Sequence, residues 1–199
     1  MYEKDIISIV KDFVYKNSEK DDIHGFPHVI RVYDLCLKIG KELSANLLVL
    51  KLAALFHDIG RVDEPKSFNK KNHAEISAKI ALNFLLSKNF DISNEDIENI
   101  IHSIKAHSFS NKIIPKTLEA KILSDADKLD ALGAIGLYRT IGFTVKNQGG
   151  IEQVIRHMEK KILKLKDQLL LDISQRIAKE KQQIILEFYK RIKSERVEF

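Results

Sequence analysis

Residues 52–64 read LAALFHDIGRVDE, and they join an apolar run directly to a histidine and an aspartate. The helical pattern that contains this run extends from about residue 46 to Ile59, and apart from Asp58 its one charged residue is Lys51. A helix that is apolar on nearly all sides has to be covered by other elements, so we expect this one in the middle of the fold. Gly60 is predicted to end it.

The rest of the sequence also has the pattern of helices, and it contains no alternating run that predicts a sheet. The predicted fold class is therefore all-α, with a single domain over residues 1–199, a core at 22–140 and C-terminal helices at 150–196 packed on that core. Besides the central helix, we predict helices ending near residue 17, from Phe26 to Gly40, at 73–88, 93–107 and 117–140, and within 151–196. Residues 142–150, GFTVKNQGG, could hold a short hairpin.

The composition is that of a globular protein. With 199 residues, of which 44% are hydrophobic, the chain can bury a sizeable core. It shows no leader peptide and no apolar segment near the roughly 20 residues that cross a bilayer, so we expect no membrane partner. Cys36 is the lone cysteine, which excludes an internal disulfide and favours a reducing cytoplasm.

The charge of the chain permits an acidic partner without selecting one. The formal net charge is +5, which suits nucleic acid, a membrane surface or a small phosphorylated molecule. Lysines and glutamates are interleaved rather than grouped, as is typical of solvated helix surfaces, so the charge alone does not favour nucleic-acid binding. The oligomeric state stays open, although the long final helices could pack against a second copy in a homodimer.

His57 and Asp58 are candidate metal ligands. An imidazole nitrogen beside a carboxylate suits divalent ions such as Mn²⁺, Fe²⁺, Zn²⁺, Ni²⁺ or Mg²⁺. Neighbouring helical residues point about 100° apart, but the looser backbone of a last turn lets both side chains reach one ion. The alternative is structural: His57 caps the C-terminus of the helix, and Asp58 is a turn residue.

Two further stretches contain residues that could complete such a site. His28 lies in the first turn of the second helix, with Arg31 one turn later on the same side. Asp125, Asp127 and Asp130 stand in a helix of otherwise apolar pattern, although aspartate is a poor helix former. Exposure to water explains one or two of these aspartates more easily than all three.

Taken in order, these residues resemble the H…HD…D signature of the HD-domain metal-dependent phosphohydrolases. The similarity covers residues 22–139 through the blocks DIHGFPHVIRV, ALFHDIGR, HAEISAKIA, IKAHSFS and TLEAKILSDADKLDALGAIGLYR, which look like successive blocks of one bacterial subfamily. Some members of that subfamily are nucleotide pyrophosphohydrolases. The resemblance implies an HD-domain-like helical bundle with a helical C-terminal extension.

By this resemblance, His28, His57, Asp58 and Asp127 would bind a divalent ion: Mn, Ni, Co, Mg, Fe or Zn. Asp127 is chosen because it matches the family pattern Ala-Asp-x-Leu. Periodicity alone leaves the choice between Asp125 and Asp127 open, since Asp125 falls on the main apolar face and Asp127 on a side rich in alanine. We interpret Asp127 as the ligand and Asp125 as a buried acceptor that supports a ligand.

Charged residues near the HD pair are candidates for catalysis. Asp58 belongs to this set as an implied ligand of the ion. Arg61 belongs to it because phosphoanhydride cleavage needs positive charge where negative charge develops. Asp63 or Glu64 could act as a base on the attacking water, as an acidic residue just after this pair does in some relatives. A solvated loop carboxylate is the alternative for both. Arg31 could meet substrate, but we favour its holding a ligand carboxylate.

Three other histidines are candidates for binding metal or substrate. His73 and His107 lie in blocks that some HD subfamilies use for a second metal or for a general acid. For both we favour function over a core or capping role. For His24 the functional and structural interpretations are equally weighted.

The resulting functional hypothesis is a metal-dependent phosphohydrolase acting on small phosphorylated molecules. Its most concrete form is a nucleoside triphosphate pyrophosphohydrolase, which converts the triphosphate to monophosphate and pyrophosphate. A phosphodiesterase or phosphomonoesterase of the same fold is the alternative within this class. A basic helical module that binds nucleic acid, or an HD domain retained for ligand sensing, represents another class.

Overall fold

The computed structural model describes residues 2–64, 72–108 and 111–195. Within these ranges every regular element is helical, which confirms the predicted all-α class. The α-helices are α1 Glu3–Asn17, α2 Phe26–Glu42, α3 Leu47–Phe56, α4 His73–Ser87, α5 Asn94–His107, α6 Leu118–Asp130, α7 Gly133–Lys146, α8 Ile151–Lys160 and α9 Asp172–Glu195. Short 3-10 segments include Ile59–Val62, Ile162–Lys164 and Lys166–Gln168.

The chain divides into two compact units, residues 1–126 and residues 127–199, with the division inside α6. In the first unit α3 packs against α1, α2 and α5, while α4 packs against α5 and the 3-10 segment Ile59–Val62. In the second unit α7, α8 and α9 pack on one another. The single domain with a core at residues 22–140 stays a prediction.

α3 is the buried centre of the first unit, as its composition predicts. Residues from Leu52 to Phe56 are all fully buried. Lys51, the charged residue of this helix, pairs with Glu3 of α1 at 2.7 Å, with its side chain 23% exposed. The residues that follow α3 are therefore attached to a helix end that is fully buried.

The end of α3 differs from the prediction. α3 ends at Phe56, whereas the sequence pattern extended it to Ile59, and Gly60 lies in the following 3-10 segment instead of terminating α3. A β-carbon on Gly60 would lie 2.7 Å from the main-chain oxygen of His73 and 2.7 Å from the main-chain nitrogen of Ser77. Glycine is therefore required here by the close approach of α4, which no local pattern reveals.

Two other predictions about helices are wrong. The segment 117–140 is not one helix, because α6 ends at Asp130 and α7 begins at Gly133. Gly133 has φ +78°, a left-handed conformation that glycine adopts readily, so the chain turns there. The hairpin proposed for residues 142–150 is absent, since α7 continues to Lys146 and keeps its buried side through Thr144.

The second unit contains a buried ion pair at the turn between α6 and α7. Arg139 donates from Nη1 to Asp130 Oδ2 at 2.7 Å, and both side chains are buried. Removing one partner of such a pair leaves an uncompensated buried charge, so the pair fixes the geometry of this turn.

Among the described residues, no helix combines the length and apolar character that crossing a membrane requires.

We predict that Asn46→Ala destabilises the first unit at the start of α3. Asn46 Oδ1 accepts hydrogen bonds from the main-chain N–H groups of Leu48 and Val49 at 3.1 and 3.2 Å. Loss of an N-cap of this kind costs about 1–2 kcal/mol. A thermal melt should show a midpoint lower by about 3–6 °C.

The matched control is Asn94→Ala, which makes the same change at the exposed first residue of α5. Its midpoint should stay within about 1 °C of the parent, because alanine is a good helix former. Equal midpoints for Asn46→Ala and the parent would contradict the capping role.

Candidate metal centre

His57 and Asp58 occupy the tight turn that follows α3. His57 keeps helical backbone angles, whereas Asp58 has φ −111° and ψ 5°. Both residues are buried, His57 completely and Asp58 to 4% exposure. The predicted loosening of the backbone at the end of α3 is thus present, and it lets two consecutive side chains point into one space.

His28, His57 and Asp58 form the first of two groups of possible metal ligands. His28 is the third residue of α2 and is completely buried. Its Nε2 atom lies 3.4 Å from His57 Nε2 and 3.4 Å from Asp58 Oδ2. His57 Nε2 lies 3.7 Å from the same carboxylate oxygen. The structure therefore brings together three of the four ligands that the family resemblance implied.

His73, His107 and Asp58 form the second group. His73 begins α4 and His107 ends α5. Their Nε2 atoms lie 3.4 and 3.6 Å from Asp58 Oδ1, which is the carboxylate oxygen that the first group does not use. Asp58 therefore belongs to both groups and offers one carboxylate oxygen to each.

The second group fits a metal ion better than it fits a hydrogen-bond network. Asp58 Oδ1, His73 Nε2 and His107 Nε2 are all buried, and none has a hydrogen-bond partner. A buried polar atom without a partner is costly, so three that converge need an explanation. Ligand atoms about 2.0–2.2 Å from one ion lie about 3–4 Å apart, which matches the separations observed here.

The imidazole rings of His57 and His107 are oriented in the same way. His57 Nδ1 lies 2.7 Å from the main-chain oxygen of Ala54, and His107 Nδ1 lies 2.6 Å from that of Ile104. A carbonyl oxygen only accepts, so Nδ1 carries the proton in each ring and donates it. In its unprotonated form, each ring therefore directs an Nε2 lone pair at Asp58, as a metal ligand must.

The electrostatics of the cluster keep Asp58 ionised and His73 neutral. Burial alone would raise the pKa of Asp58, but the charge of Arg61 and the interactions with the neighbouring histidines together outweigh it and hold the pKa well below its usual range. Burial lowers the pKa of His73, an effect that the carboxylate of Asp58 partly opposes. At neutral pH the cluster therefore offers an anionic oxygen pair and unprotonated imidazole nitrogen, which are the forms that bind a cation.

The charged residues after the HD pair lie at the edge of this cluster. Arg61 donates from Nε to Asp58 Oδ2 at 2.5 Å, with its own side chain 28% exposed. Asp63 is exposed, whereas Glu64, with its side chain 39% exposed, accepts the main-chain N–H of His73 at 3.0 Å. The three residues thus differ in what they contact, although the sequence placed them side by side.

The remaining predicted residues lie in several environments. His24 packs edge-on against His28, with ring centroids 6.4 Å apart. Arg31 donates to the main-chain oxygen of Asp22 at 3.0 Å. Asp125 is completely buried in the first unit, as its position on the apolar face predicts. Asp127 belongs to the second unit, and its role as a ligand stays a prediction.

The sequence left His73 and His107 open between a second metal, a general acid and a structural role, whereas in the structure both come as close to Asp58 as His28 and His57 do. Sequence reasoning missed Ser77 altogether, whose hydroxyl accepts the main-chain N–H of Gly60 at 2.9 Å. The sequence does show a small polar residue, Ser77, one turn after His73. It indicates a contact with Gly60 only once α4 is known to pass close to that glycine.

An all-α protein in which buried histidines surround one ionised carboxylate has the construction of a metal-dependent hydrolase. The HD domain model matches residues 25–132, and the chain belongs to the HD-domain family. It is a metal-dependent phosphohydrolase with a divalent metal ion as cofactor, as the resemblance in the sequence implied.

The chain is similar over most of its length to YpgQ of Bacillus subtilis, a protein described as uncharacterized. The two are 33% identical over 159 residues, which cover 76% of this chain and 74% of YpgQ. The crystal structure of YpgQ in complex with ADP has a TM-score of 0.78 and 27% identity, covering 98% of this chain and 97% of that one.

Two further relatives extend this comparison. A predicted HD superfamily hydrolase from an uncultured Thermotogales bacterium has a TM-score of 0.67 and 26% identity, covering 96% of this chain and 91% of that one. Ribonuclease Y of Treponema denticola is 33% identical over 116 residues, which cover 58% of this chain. That match spans only 20% of the ribonuclease.

Proposed function

We propose that this phosphohydrolase is a nucleoside triphosphate pyrophosphohydrolase. Water attacks the α-phosphorus, the bond to the bridging oxygen breaks, and the products are a nucleoside monophosphate and pyrophosphate. The observation that carries the nucleotide part is the ADP bound by YpgQ, which is similar to this chain along nearly its whole length. The ordered sequence blocks at residues 22–139 support the pyrophosphohydrolase form.

We assign the ligands of the divalent ion to the two groups that share Asp58. His28 and His57 would act with Asp58 Oδ2, and His73 and His107 with Asp58 Oδ1. Asp127 is kept as a further ligand on the family pattern alone. A bound divalent ion lowers the pKa of a coordinated water and neutralises charge on a phosphoryl oxygen.

The protein's own side chains would orient and balance these groups. The main-chain carbonyls of Ala54 and Ile104 fix two imidazole rings, so the ligand nitrogens need no reorganisation when substrate arrives. Arg61 forms an ion pair with Asp58 through Nε, and its guanidinium group is proposed to meet a phosphate. Asp63, which is exposed, and Glu64 are the candidate bases.

The second candidate is hydrolysis of a phosphodiester. The similarity to ribonuclease Y favours it, because 58% of this chain matches a protein named for cleaving RNA. Metal-assisted attack at phosphorus serves both reactions, and the fold does not choose between them. The products distinguish the two, since a diester yields no pyrophosphate.

We predict that chelation abolishes hydrolysis of nucleoside triphosphates and that divalent metal restores it. The purified protein is treated with a chelator, dialysed, and supplied in turn with Mn²⁺, Mg²⁺, Co²⁺ or Ni²⁺. Each sample receives a panel of nucleotides and a short RNA, and ion chromatography separates pyrophosphate from phosphate. Monophosphate and pyrophosphate in equal amounts are the expected products.

Each other outcome has a defined meaning. Inorganic phosphate alone from mononucleotides would replace the proposal with a phosphomonoesterase, and cleavage of the RNA alone would favour the phosphodiesterase. No product with any of these metals, from protein with a helical spectrum, contradicts the proposed function. Thermal melts with and without metal give an independent check, because an ion that binds the folded state raises the midpoint.

A further inference from the structure

Glu64 contacts His73 at two places, although the two residues are nine positions apart along the chain. Glu64 Oε1 accepts the main-chain N–H of His73 at 3.0 Å. The same oxygen lies 3.4 Å from Nδ1 of the His73 ring. The opposite nitrogen, Nε2, is the atom that lies 3.4 Å from Asp58 Oδ1. The ring of His73 therefore stands between two carboxylates.

The position of His73 on its helix explains why it needs such a contact. His57 follows α3 directly and His107 ends α5, so each ring reaches a main-chain oxygen three residues earlier in its own helix. His73 is the first residue of α4 and has no preceding helical turn. An acceptor for its Nδ1 proton has to come from another segment, and Glu64 lies where that acceptor is required.

The start of α4 also favours a carboxylate at this place. The first N–H groups of a helix have no partner within the helix and carry partial positive charge. Asn72 accepts the N–H of Glu75 at 3.1 Å, and Glu64 accepts that of His73. The helix end therefore holds Glu64 in place independently of the imidazole ring.

We propose that Glu64 is a positioning residue that fixes the tautomer and orientation of His73. This inference rests on the proposed metal-dependent function, because its consequence is a ligand nitrogen aimed at Asp58 Oδ1. With the proton held on Nδ1, the unprotonated Nε2 faces the group formed with His107. A carboxylate behind a ligand histidine also raises the basicity of the ligand.

The assignment changes the interpretation of the acidic pair after the HD motif. A carboxylate that accepts a main-chain N–H and lies 3.4 Å from an imidazole nitrogen is poorly placed to take a proton from water. Glu64 then orients the ring of His73, and Asp63 is the remaining candidate base of the pair. Sequence alone treats the two residues as equivalent.

The direct test measures the tautomer of His73 in metal-free protein. Nitrogen–proton correlation spectra at mildly alkaline pH distinguish a proton on Nδ1 from one on Nε2. We compare the parent with Glu64→Ala, Glu64→Gln and Glu75→Gln. The Glu64 side chain is 39% exposed, so its truncation is expected to leave the fold intact.

We expect the Nδ1-protonated ring of His73 in the parent and in Glu64→Gln, whose amide oxygen still accepts. In Glu64→Ala the ring should lose this preference, while the rings of His57 and His107 keep theirs and report an intact fold. Glu75→Gln removes the same charge from the first turn of α4 and should leave His73 unchanged. An unchanged tautomer of His73 in Glu64→Ala would overturn the proposal.

A second experiment measures the affinity of the variants for a divalent metal ion. Titration with Mn²⁺ should show weaker binding at one group in Glu64→Ala, by about 10–100-fold, and nearly normal binding in Glu64→Gln. Absence of nucleotide hydrolysis in the parent would contradict the proposed function, but the tautomer of His73 could still be measured and would still test the role of Glu64. Nucleotide hydrolysis together with an unchanged ring in Glu64→Ala would contradict only the role of Glu64.

Discussion

Asp58→Asn is expected to reduce metal-dependent hydrolysis by at least about a thousandfold, corresponding to about 4 kcal/mol of transition-state stabilisation. Both oxygens of Asp58 face proposed ligand groups, so this one change affects His28 and His57 on one side and His73 and His107 on the other. Asparagine has nearly the same shape, but its nitrogen donates hydrogen bonds and cannot serve as a carboxylate ligand.

The charge of Asp58 is as important as its shape. Its pKa lies well below the usual range, because Arg61 and the neighbouring histidines together outweigh burial, so the carboxyl group of the parent is ionised at neutral pH. Asparagine leaves Arg61 without this partner and the histidines without the anion. Metal content measured after dialysis should therefore fall together with activity.

Asp91→Asn provides the matched control. It makes the same chemical change at an exposed position outside the cluster, and its activity and metal content should equal those of the parent. A helical circular dichroism spectrum close to that of the parent would show that Asp58→Asn is folded. An Asp58→Asn protein that binds metal and retains more than about a tenth of the activity, a barrier change under 1.4 kcal/mol, would contradict the shared role of Asp58.

Gly60→Ala is expected to damage both stability and activity. The added β-carbon would lie 2.7 Å from main-chain atoms of His73 and Ser77 and 2.8 Å from the β-carbon of Ile76. These atoms belong to α4 and cannot rotate away, so α4 has to shift as a unit. Overpacking of this kind costs about 1–3 kcal/mol, and the thermal midpoint should fall by about 3–10 °C.

The same shift would act on the metal centre, because α4 carries His73. A displacement of a few tenths of an ångström to 1 Å lengthens the contact between His73 Nε2 and Asp58 Oδ1, which is 3.4 Å in the parent. Misplacement on this scale can lower activity by about a hundredfold. Metal titration should show weaker binding by the group that contains His73.

Gly150→Ala is the control for the loss of glycine itself. A β-carbon there would meet only Gln153 Oε1, at 3.7 Å, which is an ordinary contact. Gly150 precedes α8 in the second unit, so the change should lower the midpoint slightly and leave metal binding and activity unaffected. Parent-like stability and activity in Gly60→Ala would show that α4 does not depend on this close contact.

The sequence predicted the helical class, the central position of α3 and the metal-dependent family. These predictions rest on local information. Apolar residues on all sides of a helix require burial whatever surrounds it, and His57 and Asp58 are adjacent in the chain. The order of the matched blocks identified His28 as a partner, although no periodicity links it to the HD pair.

Elements that depend on distant contacts were predicted less well. Gly60 was interpreted as a helix stop, because a glycine after an apolar run is typical of a C-terminus. Its actual constraint is α4, which reaches it from a different part of the chain. The break between α6 and α7 was missed because the apolar pattern continues across it, while the turn depends on the conformation of Gly133.

By itself the sequence determined that this protein is an all-α HD-domain phosphohydrolase, and it predicted the histidine–aspartate pair as metal ligands. Only the tertiary structure decided that His73 and His107 approach the second oxygen of Asp58, and that Glu64 contacts His73. The reason is physical. Periodicity states which side of a helix is buried, whereas the distance between two side chains depends on how separate helices pack against each other.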